Sequence, residues 1–287
     1  AERAGIYYTL GITEHICGVG NVQSLCNLSL LTGNLGKRSA GINPLRGQNN
    51  IQGAGDCGAL PNNYPGFQKV VDPVSQAKFE KIWGVPMDPD EGITKIKALD
   101  YAVEGKVRAM WIVGENTLVT DPDMAHTRRA FEALDFLIVQ DIFLTDTAKM
   151  ADVVFPAAAF AETDGFFANT ERRVQRIRKV VPPPGEAKPD WWIVSQVGCR
   201  MTDSVKMGYE SAEEVFDELA EVSPFYHGMS YDRIEGEGLQ WPCPDTDHPG
   251  TDYLHRDRFE NGRGIFKKIE YVAPAEVPDE KYPFFLT

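Results

Sequence analysis

Residues 107–155 decide the fold: VRAMWIVGENTLVTDPDMAHTRRAFEALDFLIVQDIFLTDTAKMADVVF. The runs at 107–113, 136–140 and 152–155 are almost continuously apolar, which is typical of strands buried on both faces. Asp121 and Pro122 suit the N-cap and first residue of a helix that continues to Leu134, and a short helix is expected over 145–150. This alternation of strand and helix predicts an α/β fold built on a parallel sheet flanked by helices.

Two of the predicted strands end in polar loops. Ligands of open α/β sheets bind beyond the carboxyl ends of the strands, and here those ends carry GENT at 114–117 and the pair Gln140-Asp141. An acidic residue after a strand, such as Asp141, either accepts hydrogen bonds from a ribose or purine edge or caps the following turn. The chain contains neither a GxGxxG motif nor a Walker phosphate loop. The two strand ends together predict a nucleotide-type ligand.

A second unusual stretch, GINPLRGQNNIQGAGDCGALP, occupies residues 41–61. Its glycines allow the backbone to approach a ligand closely, and the consecutive amides of Gln48, Asn49 and Asn50 offer both donors and acceptors. Arg46 adds a permanently charged fork of donors that suits a carboxylate or a phosphate. A long surface loop would also explain the glycines and amides. The interleaved apolar residues, which would hold the loop down, favour a loop that lines a ligand site.

The remaining pattern predicts further elements and one change of composition. Helices are expected at 21–32, 76–83, 93–103, from Asp190 as cap, and over 211–222 with Ser211 as cap, and a strand is expected near 265–272. Residues 162–189 turn polar and basic and then proline-rich, which predicts an excursion from the sheet. Its basic cluster is either a solvated face or a surface that meets an anionic cofactor or another domain. The members of this cluster are Arg172, Arg173, Arg176, Arg178 and Lys179.

Composition excludes several classes of function. The formal net charge of −13 argues against general binding of nucleic acid, and no apolar run reaches the length of a membrane span. The five scattered cysteines form no CxxC pair, which indicates reduced thiols in a cytoplasmic protein. No histidine pair, GxSxG motif or cysteine–histidine signature indicates a familiar hydrolase. The final KYPFFLT has the pattern of an interrupted strand, so we expect a piece of a larger protein.

Four long segments resemble the catalytic subunit of molybdenum- or tungsten-dependent formate dehydrogenases, in the molybdopterin oxidoreductase (dimethyl sulfoxide reductase) superfamily. These segments are LLTGNLGKRSAGINPLRGQNNIQGAGDCGALPNNYPGF, VGENTLVTDPD, VQDIFLTDTAKMADVVFPA and LQWPCPDTDHPGTDYL. The resemblance covers essentially the whole chain and matches the middle of a longer subunit. It implies a Rossmann-like parallel sheet within a multidomain protein.

The resemblance also implies a domain organisation. Residues 1–48 would be the tail of one molybdopterin-dinucleotide-binding domain, and 49–260 most of a second. Residues 162–189 would pack toward an iron–sulfur domain, and 261–287 would begin a C-terminal barrel domain. The complete subunit would hold a bis-molybdopterin guanine dinucleotide centre with molybdenum or tungsten, and a [4Fe–4S] cluster bound outside this chain.

Site residues follow from the same resemblance. The family's substrate arginine falls on Arg46, which would orient formate for oxidation to carbon dioxide, or for the reverse reaction. Dinucleotide contacts fall on Gly11, Glu14, Gly47, Gln48, Asn116, Thr120, Gln140, Asp141 and Asp190. Glu14 and Asn116 stand where family members can have glutamine and aspartate.

The resemblance further implies partners and alternatives. Electrons would pass to iron–sulfur subunits, and the remainder of the catalytic subunit would complete the site. No residue here matches the family's metal-ligating cysteine or selenocysteine, so this chain alone is expected to be inactive. Three alternatives remain open: a molybdenum-free electron-transfer scaffold like the large subunit of respiratory NADH dehydrogenases, a sister reductase for nitrate or another oxyanion, and a module that binds a free nucleotide.

Overall fold

The computed structural model describes residues 1–202, 204, 207–259, 261–274 and 276–284. Its strands are β1 (Gly5–Tyr8), β2 (Gly41–Pro44), β3 (Asn63–Tyr64), β4 (Gln68–Lys69), β5 (Ala109–Val113), β6 (Phe136–Asp141), β7 (Val153–Pro156), β8 (Gly165–Ala168), β9 (Arg173–Ile177) and β10 (Leu239–Gln240). Its helices are α1 (Leu10–Thr13), α2 (Gly18–Leu31), α3 (Ile51–Asp56), α4 (Pro73–Trp83), α5 (Lys95–Val103), α6 (Thr117–Thr120), α7 (Met124–Glu132), α8 (Asp190–Met201) and α9 (Ala212–Val222). Single turns of 3₁₀ helix occupy Pro65–Phe67, Ala148–Met150 and Phe160–Glu162.

Parallel strand pairing forms the framework of the fold. β1 pairs with β2, and β6 lies between β5 and β7 in a three-stranded parallel sheet. Val113 is opposite Gln140, and Asp141 is opposite Pro156, so the polar ends of these three strands share one edge. The predicted α/β class with a parallel sheet flanked by helices is therefore confirmed.

One hydrophobic core supports the three-stranded sheet. Helices α5, α6 and α7 contribute its buried apolar side chains, together with β6 and the 3₁₀ turn at Ala148–Met150. The fully or almost fully buried members are Leu99, Ala102, Leu118, Ala130, Phe131, Leu137, Val139 and Ala148. β6 alternates Leu137 and Val139 into this core, and both are at most 2% exposed. The three runs are strands, as predicted, but their expected burial on both faces is wrong: no residue of β5 or β7 is fully buried, and Val113 and Val154 are 47% and 37% exposed.

A second core lies under the polar excursion. β8 and β9 form an antiparallel hairpin, β10 pairs with β9, and α9 packs against β8. Aromatic rings dominate this core: the ring of Phe216 lies 4.9 Å from Phe166, 6.2 Å from Tyr226 and 5.2 Å from Tyr231, measured between centroids. The excursion is therefore an ordered part of the fold with its own buried side chains.

The helix expected from Asp121 begins later. Asp123 is the N-cap of α7, where its carboxylate accepts a hydrogen bond from the His126 backbone N–H at 2.9 Å. Asp121 has extended backbone angles and pairs with Lys95, with the charged atoms 2.5 Å apart. The Asp121 carboxylate is thus engaged by Lys95 and not by the backbone of a first helical turn, so Asp123 is the cap. Part of the expected loop forms α6 instead.

No strand is present over the described residues near 265–272. Backbone groups of Lys267 exchange two hydrogen bonds with the Asn27 side chain of α2, at 2.7 and 3.0 Å. The segment therefore runs along a helix and meets no strand edge, so the strand prediction is wrong. The expected strand in KYPFFLT falls partly on residues 285–287, which lie outside the described residues.

The helices predicted at 21–32, 76–83, 93–103, from Asp190 and over 211–222 are confirmed, with ends that differ by a few residues. The short helix expected over 145–150 is only a single 3₁₀ turn at Ala148–Met150. Helix α9 follows the expected cap, since the Ser211 hydroxyl accepts from the Glu214 backbone N–H at 3.2 Å. The Glu214 carboxylate in turn accepts from the Glu210 backbone N–H at 3.0 Å. Residues Phe216, Leu219 and Ala220 then face the second core.

We expect Ser211→Ala to lower the free energy of unfolding by about 1 kcal/mol, because one N–H of the first turn of α9 loses its acceptor. Ser211→Asp retains an acceptor at the same place and should preserve stability. Urea unfolding of the two variants beside the wild type measures the difference. Equal loss in both would show that the cap does not contribute.

Candidate functional site

The arginine of the glycine-rich stretch lies at the carboxyl end of the first parallel strand pair. β2 ends at Pro44, and the Leu45 backbone N–H donates to the Tyr8 carbonyl at 2.7 Å. Arg46 and Gly47 follow at once and are exposed. The positive charge of Arg46 reaches Tyr8, where it opposes the rise in the phenol pKa that burial causes. The guanidinium therefore lies where an open α/β sheet places its ligands.

A chain of hydrogen bonds connects Arg46 to the core. Its Nη2 donates to Gln52 Oε1 at 3.1 Å, and Gln52 Nε2 donates to Asp56 Oδ1 at 2.8 Å. Asp56 Oδ2 accepts from the Tyr226 hydroxyl at 2.7 Å and from Trp241 Nε1 at 2.8 Å. Asp56 has no exposed surface. Burial raises the pKa of its carboxyl, while these three donors and the charge of Arg46 oppose the rise.

Backbone geometry fixes the start of α3 directly after the arginine. Asn50 is the N-cap in a left-handed conformation, with φ of 59°, which asparagine tolerates better than most residues. Its Oδ1 accepts from the Ala168 backbone N–H of β8 at 2.9 Å. A Cβ at position 53 would lie 2.1 Å from that oxygen. Gly53 therefore leaves room for the contact that attaches the loop to the second core.

The second predicted site occupies the shared edge of β5 and β6. The Gly114 N–H donates to the Gln140 carbonyl at 2.8 Å, and φ at Gly114 is 65°. Asn116 Oδ1 accepts from the backbone N–H and hydroxyl of Thr147, at 3.1 and 2.9 Å. The Thr147 hydroxyl accepts from the Leu118 N–H at 3.0 Å. Asn116 thus connects the loop after β5 to Thr147, the residue before the 3₁₀ turn that precedes β7. No pattern in the sequence indicated this role of Thr147.

Three polar side chains converge where β6 meets α8. Gln140 Nε2 donates to Asp190 Oδ1 at 2.6 Å, and Gln140 is fully buried. Asp190 is exposed and lies in the first turn of α8, after Pro189 as N-cap, so its expected role as cap is wrong. Desolvation raises the pKa of Asp190, the hydrogen bond from Gln140 lowers it, and the charge of Asp141 raises it further. The two carboxylates are therefore close enough to interact.

Asp141 itself ends β6 and begins a turn. Its Oδ1 accepts from the Ile142 N–H at 2.7 Å and from the Phe143 N–H at 3.4 Å. Asp141 therefore caps the following turn, as one of its two predicted roles requires. Its carboxylate is half-exposed, which leaves it accessible for the other predicted role, accepting from a ribose or purine edge. The following side chains of Ile142, Phe143 and Leu144 are more than half exposed.

The remaining candidates divide between the two strand edges. Gly11 lies in α1, just beyond β1, and Glu14 is the exposed C-cap of that helix. Gln48 is exposed beside Gly47 in the arginine loop. The Thr120 hydroxyl donates to the Glu115 carboxylate. Gly11, Glu14, Gly47 and Gln48 therefore accompany the first parallel pair, and Asn116, Thr120, Gln140, Asp141 and Asp190 accompany the second sheet.

Most of the basic cluster in the excursion has partners within the protein. The Arg172 guanidinium donates to the carbonyls of Trp241 and Thr251, and Arg176 lies 3.7 Å from the ring centroid of Tyr231. Arg173 pairs with Glu171 at 2.8 Å, and Arg178 with Glu235 at 2.5 Å. These contacts favour a structural role for the arginines and leave Lys179 as the member most available to a partner. No group of three or more metal-ligating side chains occurs among the described residues.

Comparison with known proteins identifies the family of the chain. The family model of the molybdopterin oxidoreductases matches residues 1–200, so the chain belongs to the molybdopterin oxidoreductase family. It is 50% identical to the F420-dependent formate dehydrogenase subunit alpha of Methanocaldococcus jannaschii and 43% identical to formate dehydrogenase H of Escherichia coli. All of the chain is covered in both comparisons, but only 42% and 41% of the relatives. The chain thus spans about two fifths of the length of these curated relatives.

A weaker structural likeness links 55% of the chain to 22% of acetylene hydratase from Pelobacter acetylenicus, at a TM-score of 0.43 and 19% identity. A score this low supports no conclusion about this chain. Among the described residues, no helix combines the length and apolar character needed to cross a bilayer.

The polar groups at the β5–β6 edge suit a ligand that offers N–H donors, as the base of a nucleotide does. Guanine offers N–H donors on its Watson–Crick edge, and Asp141 and Asp190 offer carboxylate acceptors at adjacent places. An added Cβ at Gly114 would meet no atom within 4 Å, so open space adjoins these groups. Gln140 was expected to contact the dinucleotide itself. In the structure its side chain is buried and donates a hydrogen bond to Asp190.

We expect Asp56 and Asp72 to change stability with pH in opposite directions. Burial raises the pKa of Asp56 above 3.8, so its contribution is fully present below that pH and is lost as pH rises through the raised pKa. Hydrogen bonds from Ser75 and Val74 lower the pKa of Asp72 below 3.8, so its contribution is present above that pH and is lost as pH falls.

Urea unfolding of the wild type, Asp56→Asn and Asp72→Asn over about pH 3 to 7 measures both effects. The stability of the wild type relative to Asp56→Asn should decrease as pH rises. Its stability relative to Asp72→Asn should increase over the same range. The same sign for both differences would contradict the assignment.

Proposed function

We propose that this chain is part of the catalytic subunit of a formate dehydrogenase that interconverts formate and carbon dioxide. The exposed guanidinium of Arg46, supported from behind by Gln52, is the observation that carries the proposal. A planar guanidinium donates two parallel hydrogen bonds to a carboxylate, and formate is the smallest carboxylate. Relatives at 50% and 43% identity are named formate dehydrogenases, which supports the choice of substrate.

Arg46 would act by binding and orientation. Both formate oxygens accept from the guanidinium, which leaves the C–H bond pointing away from the arginine. Oxidation of HCOO⁻ to CO₂ releases one proton and two electrons. When bound, the pterin-chelated molybdenum or tungsten supplies the two-electron acceptor for this step. The residues of this chain supply the charge and the geometry that hold the substrate.

The cofactor in this proposal is bis-molybdopterin guanine dinucleotide. Asp190 and Asp141 would accept from guanine N–H groups of one dinucleotide, with Gln140 holding Asp190 in place and Asn116 and Thr120 beside it. Gly11, Glu14, Gly47 and Gln48 would line the other dinucleotide at the first strand pair. Electrons would leave through a [4Fe–4S] cluster of the complete subunit to iron–sulfur partner subunits. The proposal includes a cytoplasmic location, supported by five free thiols.

The complete subunit containing this chain should oxidise formate with an electron-accepting dye, and Arg46→Ala should lower kcat/KM on the order of 10²-fold through the lost donors to the substrate. Arg46→Lys keeps the charge without the fork and should lose less. Arg38→Lys, an exposed arginine of the same segment, is the matched control. Reduction of nitrate in place of formate oxidation would favour the oxyanion reductase. Absence of both molybdenum and tungsten from the purified subunit would favour the electron-transfer scaffold.

Asp190→Asn should weaken retention of the dinucleotide, because Gln140 Nε2 would hold the amide oxygen and leave the amide NH₂, a donor, facing the guanine donors. Acid release of bound nucleotide from the purified complete subunit, followed by chromatography, measures the guanine content per protein. Glu186→Gln, an exposed carboxyl in the segment before α8, is the control. A guanine content unchanged in Asp190→Asn would show that this carboxylate does not hold the base.

A further inference from the structure

Along the chain from Arg46 through Gln52 to Asp56, each residue donates a hydrogen bond to the next. A guanidinium has donors and no acceptor, while an ionised carboxylate has acceptors and no donor. Gln52 lies between them, with Oε1 toward Arg46 at 3.1 Å and Nε2 toward Asp56 at 2.8 Å. An amide is the group that accepts on one side and donates on the other. The orientation of Gln52 is therefore set by its two charged neighbours.

Asp56 is held in turn by groups distant in sequence. Tyr226 and Trp241, at sequence separations of 170 and 185, donate to its Oδ2. With Oδ2 occupied by these two donors, Oδ1 is the oxygen that faces Gln52. Both donors are buried in the second core, at 0% and 8% exposure. Asp56 therefore contacts Gln52 through Oδ1 and, through Gln52, influences Arg46.

We propose that Gln52 and Asp56 form a positioning unit that keeps the exposed Arg46 guanidinium in its substrate-binding orientation. The inference rests on the proposed function for its substrate, and the contacts on which it depends belong to this chain alone. Arg46 has a long, flexible side chain at the surface, and the unit removes that freedom before the substrate arrives. Neither member touches the substrate: Gln52 contacts the guanidinium, and Asp56 acts through Gln52.

Removing either member should have the same effect on Arg46. In Asp56→Asn, Tyr226 and Trp241 hold the amide oxygen, so the amide nitrogen faces Gln52 and turns the Gln52 NH₂ toward the guanidinium. In Gln52→Met, the acceptor is absent, while Asp56 keeps two of its donors. If Arg46 then occupies its binding orientation about a tenth of the time, KM for formate rises about tenfold, with kcat at saturating formate changed little.

The experiment uses the complete cofactor-loaded subunit and two measurements. Steady-state kinetics give KM and kcat for Asp56→Asn, Gln52→Met and the double variant. Phenylglyoxal, which reacts with accessible guanidinium groups, gives the modification rate of Arg46 by peptide mass spectrometry. We expect raised KM and faster modification in each single variant, and no further change in the double variant, because both act through one contact. Ile234→Val, a buried substitution in the same core, should change neither.

Each contrary result overturns the inference in a recognisable way. Lower thermal stability with KM and modification rate unchanged would assign Gln52 and Asp56 a structural role only. Additive effects in the double variant would show that the two residues do not act as a unit. If Asp56→Asn fails to fold, Gln52→Met decides alone. Formate oxidation absent from the wild type would defeat the proposed function, whereas the modification rates would still test the positioning unit.

Discussion

The buried carboxylate of Asp56 is the constraint on which the arrangement around Arg46 depends. A charge with no exposed surface is tolerated only where hydrogen bonds compensate for its lost hydration. Its three donors come from α3, from the turn after α9 and from the residue after β10. Satisfying one carboxylate therefore brings the arginine loop and two distant segments of the second core together.

At both predicted ligand sites, a buried glutamine contacts an exposed charged side chain. Buried Gln52 contacts Arg46 at the end of the first strand pair, and buried Gln140 contacts Asp190 at the end of β6. Glutamine suits both positions because its amide can accept from a cation or donate to a carboxylate. In each case the charged group remains available at the surface while a buried side chain limits its movement. The parallel strands determine where Arg46 and Asp190 lie, and the glutamines limit the orientation of their side chains.

Local patterns in the sequence were sufficient for the elements whose causes are local. The apolar runs of β5 to β7 and the Ser211 cap of α9 depend on neighbouring residues, and both were predicted. Asp121 and Asp123 flank the same proline, so local pattern alone did not select the cap of α7. The role of Asp56 depends on partners at separations of 170 and 185, which no local pattern contains. Its one local signal was the spacing of Gln52 and Asp56 on a single helix face.

The intervening amide explains how a buried negative charge can hold an arginine in place without pairing with it directly. A carboxylate in direct contact with Arg46 would pair with it and compete with an anionic substrate for the same donors. Placed one side chain further away, Asp56 fixes the amide, and the amide fixes the guanidinium through a neutral oxygen. The attraction between opposite charges falls with distance. Arg46 therefore gains a defined position while its remaining donors and its charge stay available to an anion, as the proposed function requires.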